Sequence, residues 1–291
     1  MYQNYKPAHS DFIIHWTGKD IDSEYDKEWS GKHSSITNPN STEKYLLRLR
    51  YILKYGLWMT ENKNDETIKT YGGIINPPIH SRTCFTELKL SMARSHAVEF
   101  GRLGIGFKRF FIFERLGAPM IYFNKYGYNW LHPPLFSSNE DDYYKCFFKP
   151  MTLKSEDTTL HYKFFDESEW RIIYSNSIRN KLEKIGLGKI NCHFNKFEDI
   201  KENDFIDYTE NSKIKPDFLI PVSDKWVAMI IYPSIEVKVK AQSDSTIRNL
   251  INSFKKSYDP NIDKNKIVKN PAFWEPYNYP IEIDLDTCRN F

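Results

Sequence analysis

The stretch Glu167-Ser168-Glu169-Trp170-Arg171-Ile172-Ile173-Tyr174 constrains the fold more than any other. Residues 170–174 are aromatic, β-branched or long, the composition of a strand. Side chains alternate faces along a strand. Glu167, Glu169, Arg171 and Ile173 therefore share one face, and Ser168, Trp170, Ile172 and Tyr174 share the other. The second face suits a core. The first carries two carboxylates and a guanidinium, and two readings stay open for it. Either it is solvated, with Glu169 and Arg171 forming an exposed pair worth under about 1 kcal/mol, or it lines a cleft in which an arginine-held carboxylate orients a ligand.

Further strand-like runs surround it. Asp11 to Gly18 is a short apolar run ending in polar residues and a glycine, with His15 and Thr17 on one face and Ile14 and Trp16 on the other. Thr83 to Leu88, Ile105 to Phe107, Ala118 to Phe123 and Trp226 to Tyr232 read the same way, and Ser234 to Lys240 alternates with period two. Helical spacing appears at Tyr45, Leu46, Leu49, Ile52 and Leu53, stopped by Gly56, and again at Ser91 to Phe100, Lys108 to Leu116 and Ser245 to Phe254. Lys19 to Thr42 is polar and reads as a loop, with a helix beginning near Ser41 or Thr42. Interleaved strands and helices make an α+β protein.

The chain has 291 residues, enough for a sizeable core, and aromatic residues make up 16% of it. With no repeat and no low-complexity linker, residues 1–291 read as a single domain, with a polar, proline-punctuated C-terminal extension from about residue 256. A net charge of +3 and dispersed lysines give no clustered basic face for nucleic acid. The four cysteines form no C-x-x-C pair, and neither His132 nor His161 has metal-ligand spacing, so no metal site is expected. The polar first ten residues carry no apolar signal segment, and no run is long enough to span a membrane. The expectation is a cytoplasmic protein with no membrane partner. The glycines of Gly101-Arg102-Leu103-Gly104-Ile105-Gly106 match neither G-x-G-x-x-G nor a Walker A loop, and read as close backbone approaches or a turn rather than a phosphate cradle.

Taken in order, several of these segments resemble the AbiGi family of abortive phage-infection proteins. They are Ile14-His15-Trp16-Thr17-Gly18, Tyr51-Ile52-Leu53-Lys54-Tyr55-Gly56-Leu57-Trp58, Cys84-Phe85-Thr86-Glu87-Leu88, His96, Phe100 to Lys108, Gly117-Ala118-Pro119-Met120-Ile121-Tyr122 and Glu169-Trp170-Arg171. Each is short, and their shared order is more specific than any one of them. The resemblance implies a toxin–antitoxin system of phage defence, with a cognate toxin or antitoxin as partner. The opening His-x-Thr strand and the helix ending Ile-Leu-x-x-Gly-Leu are also similar to DarT-like ADP-ribosyltransferases. That likeness implies an ADP-ribosyltransferase-like fold, a split mixed or antiparallel sheet with flanking helices, using NAD as substrate and a protein or nucleic acid as acceptor. Carried over position by position, His15 and Thr17 would hold the nicotinamide ribose side of NAD, and Glu169 would direct transfer, with His15 also in the catalytic set. Tyr122 or Phe85 would stack on the ligand. Arg102 would meet the pyrophosphate, a role that Arg82 and Arg109 also fit.

Overall fold

The computed structural model describes residues 12–25, 39–61, 68–70, 73–75, 80–87, 90–123, 143–150, 168–174, 180, 184, 194–210, 216–222, 226–253 and 280–290. In chain order the elements begin with β1 (Phe12–Thr17), α1 (Lys19–Tyr25), α2 (Pro39–Tyr55), β2 (Leu57–Glu61), β3 (Ile68–Thr70), β4 (Gly73–Ile75) and β5 (Ser81–Thr86). They continue with α3 (Ala93–Phe100), β6 (Leu103–Lys108), α4 (Phe110–Phe113), β7 (Ala118–Pro119), β8 (Ile121–Phe123), β9 (Phe148–Pro150) and β10 (Glu169–Ile173). The last are β11 (Asn195–Lys196), α5 (Asn203–Glu210), β12 (Phe218–Ile220), β13 (Val227–Tyr232), α6 (Ile235–Ser243), α7 (Ser245–Ser253) and β14 (Ile281–Asp284). The protein is mixed α+β, with parallel and antiparallel strand pairs. Its chain forms two compact units, residues 1–54, 87–111 and 222–291 in the first, 55–86 and 112–221 in the second.

In the first unit, β1 and β13 both pair antiparallel with β6, and β14 joins β13 in parallel. Helix α3 covers one face: Ala93 and Ala97 pack with Ile14, Trp16, Met229, Ile231, Ile283, Leu285 and Cys288. The glycines of β6 make that packing fit. Gly106 and Gly104 stand opposite Ile14 and Trp16. A Cβ on Gly104 would lie 2.9 Å from the Trp16 ring, and one on Gly106 would lie 2.8 Å from the Met229 Cβ. Close approach is therefore their role, as the spacing suggested. The other face is buried too, through Ile13, Leu103, Ile105, Phe107, Ile230 and Tyr232. Burial on both faces explains why Val-Ala-Met-Ile-Ile-Tyr of β13 reads as a continuous apolar run rather than an alternation.

In the second unit the strand order is β11, β12, β2, β5, β10 and β7, all antiparallel, and β8 pairs separately with β9 in parallel. Expected Ala118–Phe123 is two strands rather than one. The Met120 N–H between them donates to the Glu169 carbonyl at 2.8 Å.

Four local expectations fail. Ser234 to Lys240 is not a strand: the Ser234 hydroxyl accepts the Val237 N–H and starts helix α6. Val237 and Ala241 face inward, while Ile235 and Val239 are exposed, so their alternation was coincidental. Lys19–Tyr25 is helical where the polar composition suggested a loop, and α2 starts at Pro39, a residue suited to a first turn, rather than near Thr42. Ile281–Asp284, within the stretch read as an extension, supplies strand β14. His132, His161 and Phe164 to Glu167 lie outside the described residues.

Candidate functional site

The predicted residues fall into two groups, one in each unit. In the first unit, His15 and Thr17 project from the same side of β1, near its end, opposite Ile105 and Leu103. His15 is half-buried, as is Thr17. Beyond them Gly18, with φ of 106°, turns the chain into α1. Helix α2 fixes this corner. Arg48 donates from Nη1 to the Thr17 hydroxyl at 2.8 Å and from Nη2 to Asp20 at 2.6 Å. The Tyr45 hydroxyl donates to the Gly18 carbonyl at 3.1 Å and to Asp22 Oδ1 at 2.5 Å.

Arg102 completes the corner from below. Its Nε and Nη2 reach Asp22 Oδ1 at 2.9 and 2.7 Å, and its guanidinium carbon lies 5.9 Å from the centre of the Tyr45 ring. Arg102 is 0% exposed. Burial acts against its charge, but the Asp22 carboxylate outweighs it and raises its pKa. Burial, followed by the Asp22 charge, holds the Tyr45 hydroxyl well above its usual value, so it remains a donor. Gly101, with φ of 110°, lets α3 end against β1: a Cβ there would sit 2.4 Å from the Thr17 carbonyl oxygen. Arg102 thus shapes the strand end that presents His15 and Thr17, with its guanidinium committed to Asp22.

In the second unit, Glu169 begins β10, immediately after Ser168, whose φ is 42°. Both strand faces are buried here, so the solvated reading of the charged face fails: Glu169 is 7% and Arg171 4% exposed. The cover is the 3-10 turn Tyr143–Phe147 with strand β9, a partnership that no sequence spacing announced. Arg171 donates from Nε to Glu169 Oε1 at 2.6 Å and from Nη1 to the Cys146 carbonyl at 2.7 Å. Lys149 donates to Glu169 Oε2 at 2.6 Å. The Glu169 N–H donates to the Tyr122 hydroxyl at 3.3 Å, which brings Tyr122 to the cluster. Cys84 stands across from Arg171 in the β5–β10 register. Met120, Cys146, Phe147 and Ile173 form the apolar floor.

Burial alone would raise the Glu169 pKa. The Arg171 and Lys149 charges overcome it and hold the carboxyl at about 2. At neutral pH Glu169 is an anion, suited to stabilising positive charge and to accepting hydrogen bonds, and too acidic to carry protons. Tyr45, Arg48, Asp22 and Lys149 are the participants that sequence reasoning passed over. Arg48 and Tyr45 share helical spacing with the core residues of α2, which hid them, and Lys149 meets Glu169 only through the tertiary fold.

Among the described residues, no group of three or more His, Cys, Asp or Glu is arranged to hold a metal, and no helix is long and apolar enough to cross a membrane. Comparison of the chain with protein-family models, with curated proteins and with solved structures finds no match in any of the three.

Proposed function

We propose that this protein is an anti-phage defence protein of the abortive-infection kind, with an ADP-ribosyltransferase-like fold, that transfers ADP-ribose from NAD to a protein or nucleic-acid acceptor. In that reaction the bond between ribose C1′ and the nicotinamide nitrogen breaks. Its electron pair leaves with nicotinamide, positive charge develops on the ribose, an acceptor nucleophile bonds to C1′, and the acceptor's proton is released to solvent. The observation that carries the reading is the state of Glu169. It is a permanent carboxylate in a mostly dry setting, with one oxygen anchored by Arg171. A fixed anion of this kind stabilises an oxocarbenium-like ribose far better than a solvated one. His15 and Thr17 are the residues that the resemblance gives to the nicotinamide ribose, and Tyr122 is one that it gives to stacking. Arg102 serves by supporting the β1 corner, since Asp22 occupies its guanidinium.

A second reading is a non-catalytic antitoxin or phage-sensing protein that acts through a cognate partner. It is favoured by one specific feature: both oxygens of Glu169 are engaged by protein cations, as in an ion cluster of purely structural use. Phage-plating efficiency separates the two. Glu169→Gln abolishes protection if the protein acts by transfer. Protection retained, with the variant folded, supports the binding reading.

A further inference from the structure

Glu169 is held at its main chain as well as at its carboxylate. It follows the β7–β10 register one step beyond the pair Trp170 and Pro119, and so falls opposite Met120. The N–H and C=O of a residue in such a pair point to the same neighbouring strand. The Met120 N–H donates to the Glu169 carbonyl at 2.8 Å, and the Tyr122 hydroxyl accepts the Glu169 N–H at 3.3 Å. A side-chain oxygen thus takes an N–H that a regular ladder gives to a carbonyl. The tie falls where the strand needs one. Glu169 is the first residue of β10, and Ser168 before it has a φ of 42°. A non-glycine residue keeps that left-handed conformation only where its surroundings fix it.

The two ends of Tyr122 have different uses. Its half-buried ring packs with the apolar floor of Met120, Cys146, Phe147 and Ile173, and its hydroxyl meets Glu169. Tyr122 also stands beside Lys149 in the parallel β8–β9 register, and Lys149 donates to Glu169 Oε2 at 2.6 Å. Neighbouring residues of this small sheet therefore reach Glu169 twice, at its N–H and at its carboxylate. We propose that Tyr122 acts through its hydroxyl, as a positioning residue that fixes the main chain of Glu169 and hence the aim of its carboxylate, and not by stacking on the ligand. Rotation of the main chain at the strand end swings the carboxylate away from the ribose, and a misplaced reacting group loses rate rather than affinity. The inference rests on the ADP-ribosyl transfer reading. It deepens that reading by moving Tyr122 from the ligand to the support of Glu169.

The test uses the full chain, NAD and bacterial extract, with nicotinamide release as the rate. Tyr122→Phe removes the hydroxyl and keeps the ring, and Tyr122→Leu removes both. Amide hydrogen exchange in the peptide that holds Glu169 is followed by mass spectrometry in each. In Tyr122→Phe, kcat should fall about three- to tenfold, the size of one neutral hydrogen bond, with KM for NAD unchanged and exchange at Glu169 several-fold faster. In Tyr122→Leu, KM should stay within about twofold of the unaltered protein. A Tyr122→Phe protein with unchanged kcat, or one whose loss lies in KM, overturns the inference and leaves the transferase reading standing. A fall in kcat without faster exchange at Glu169 overturns it too, because the hydroxyl then acts elsewhere. Absence of nicotinamide release from the unaltered protein overturns both. If Tyr122→Leu does not fold, Tyr122→Phe decides.

Discussion

Replacing Glu169 by Gln removes one negative charge from a site that keeps two cations, and the stability loss should depend on pH in a definite way. The Glu169 carboxyl falls from an ordinary value of 4.5 to about 2 in the folded protein, first against burial and then through Arg171 and Lys149. A depressed carboxylate pKa contributes stability that is fully present above the unfolded value and is lost as pH falls through the folded value. A drop of that size, at about 1.4 kcal/mol per unit, corresponds to on the order of 3 kcal/mol at pH 7. Little discount for solvent screening applies, because the group is buried. Urea unfolding of the unaltered protein and of Glu169→Gln at pH 7, 5, 4 and 3 measures the difference directly. The gap should be roughly constant from pH 7 to 5, narrow below about 4.5, and fall to under half its neutral-pH size by pH 3. Nearer pH 2 the unaltered carboxyl itself becomes neutral and leaves the same two cations unbalanced. A gap that stays the same from pH 7 to 3 would refute the reasoning, because the loss would then come from packing rather than charge.

Two other predictions concern the first unit. Arg102→Leu should cost about 3 to 5 kcal/mol, since it leaves Asp22 buried without its cation. Adding Asp22→Asn should recover part of that loss in the same thermal unfolding assay, and strict additivity of the two changes would contradict the pairing. Gly106→Ala should cost about 1 to 3 kcal/mol by driving a Cβ against that of Met229, which cannot rotate away. Pairing it with Met229→Gly should relieve the penalty, as seen in the urea midpoint.

Much of the framework was legible in the residues because it rests on local rules. Strands β1, β6 and β13, and the helices α2, α3 and α7, follow from composition, periodicity and terminating glycines. The crowding that made Gly104 and Gly106 necessary was implied by their alternation within a strand. What failed did so for identifiable physical reasons. The β-branched residues of α6 mimicked a strand because Ile235 and Val239 happen to face solvent. Strand β14 was hidden in a polar stretch because only Ile283 of its four residues contributes to the apolar core, at an edge whose partner lies far back in the chain. At the candidate sites, Glu169, Arg171, His15 and Thr17 were visible because each alternates with apolar neighbours along a strand. Lys149 and the Cys146 carbonyl were not, since nothing in the intervening residues foretells that a 3-10 turn and a short strand will cover β10. The same cover converts an apparently solvated face into a buried ion cluster, and that change gives Glu169 its electrostatic character.

Incubation of the protein with NAD labelled in the adenylate, in the presence of bacterial extract, tests the transferase reading most directly. Label should pass to a macromolecule and free nicotinamide should appear in equal amount, and Glu169→Gln should lower both by at least about a hundredfold while remaining folded. No transfer and no nicotinamide release from the unaltered protein, or equal release from Glu169→Gln, would contradict the assignment of Glu169 as the catalytic carboxylate.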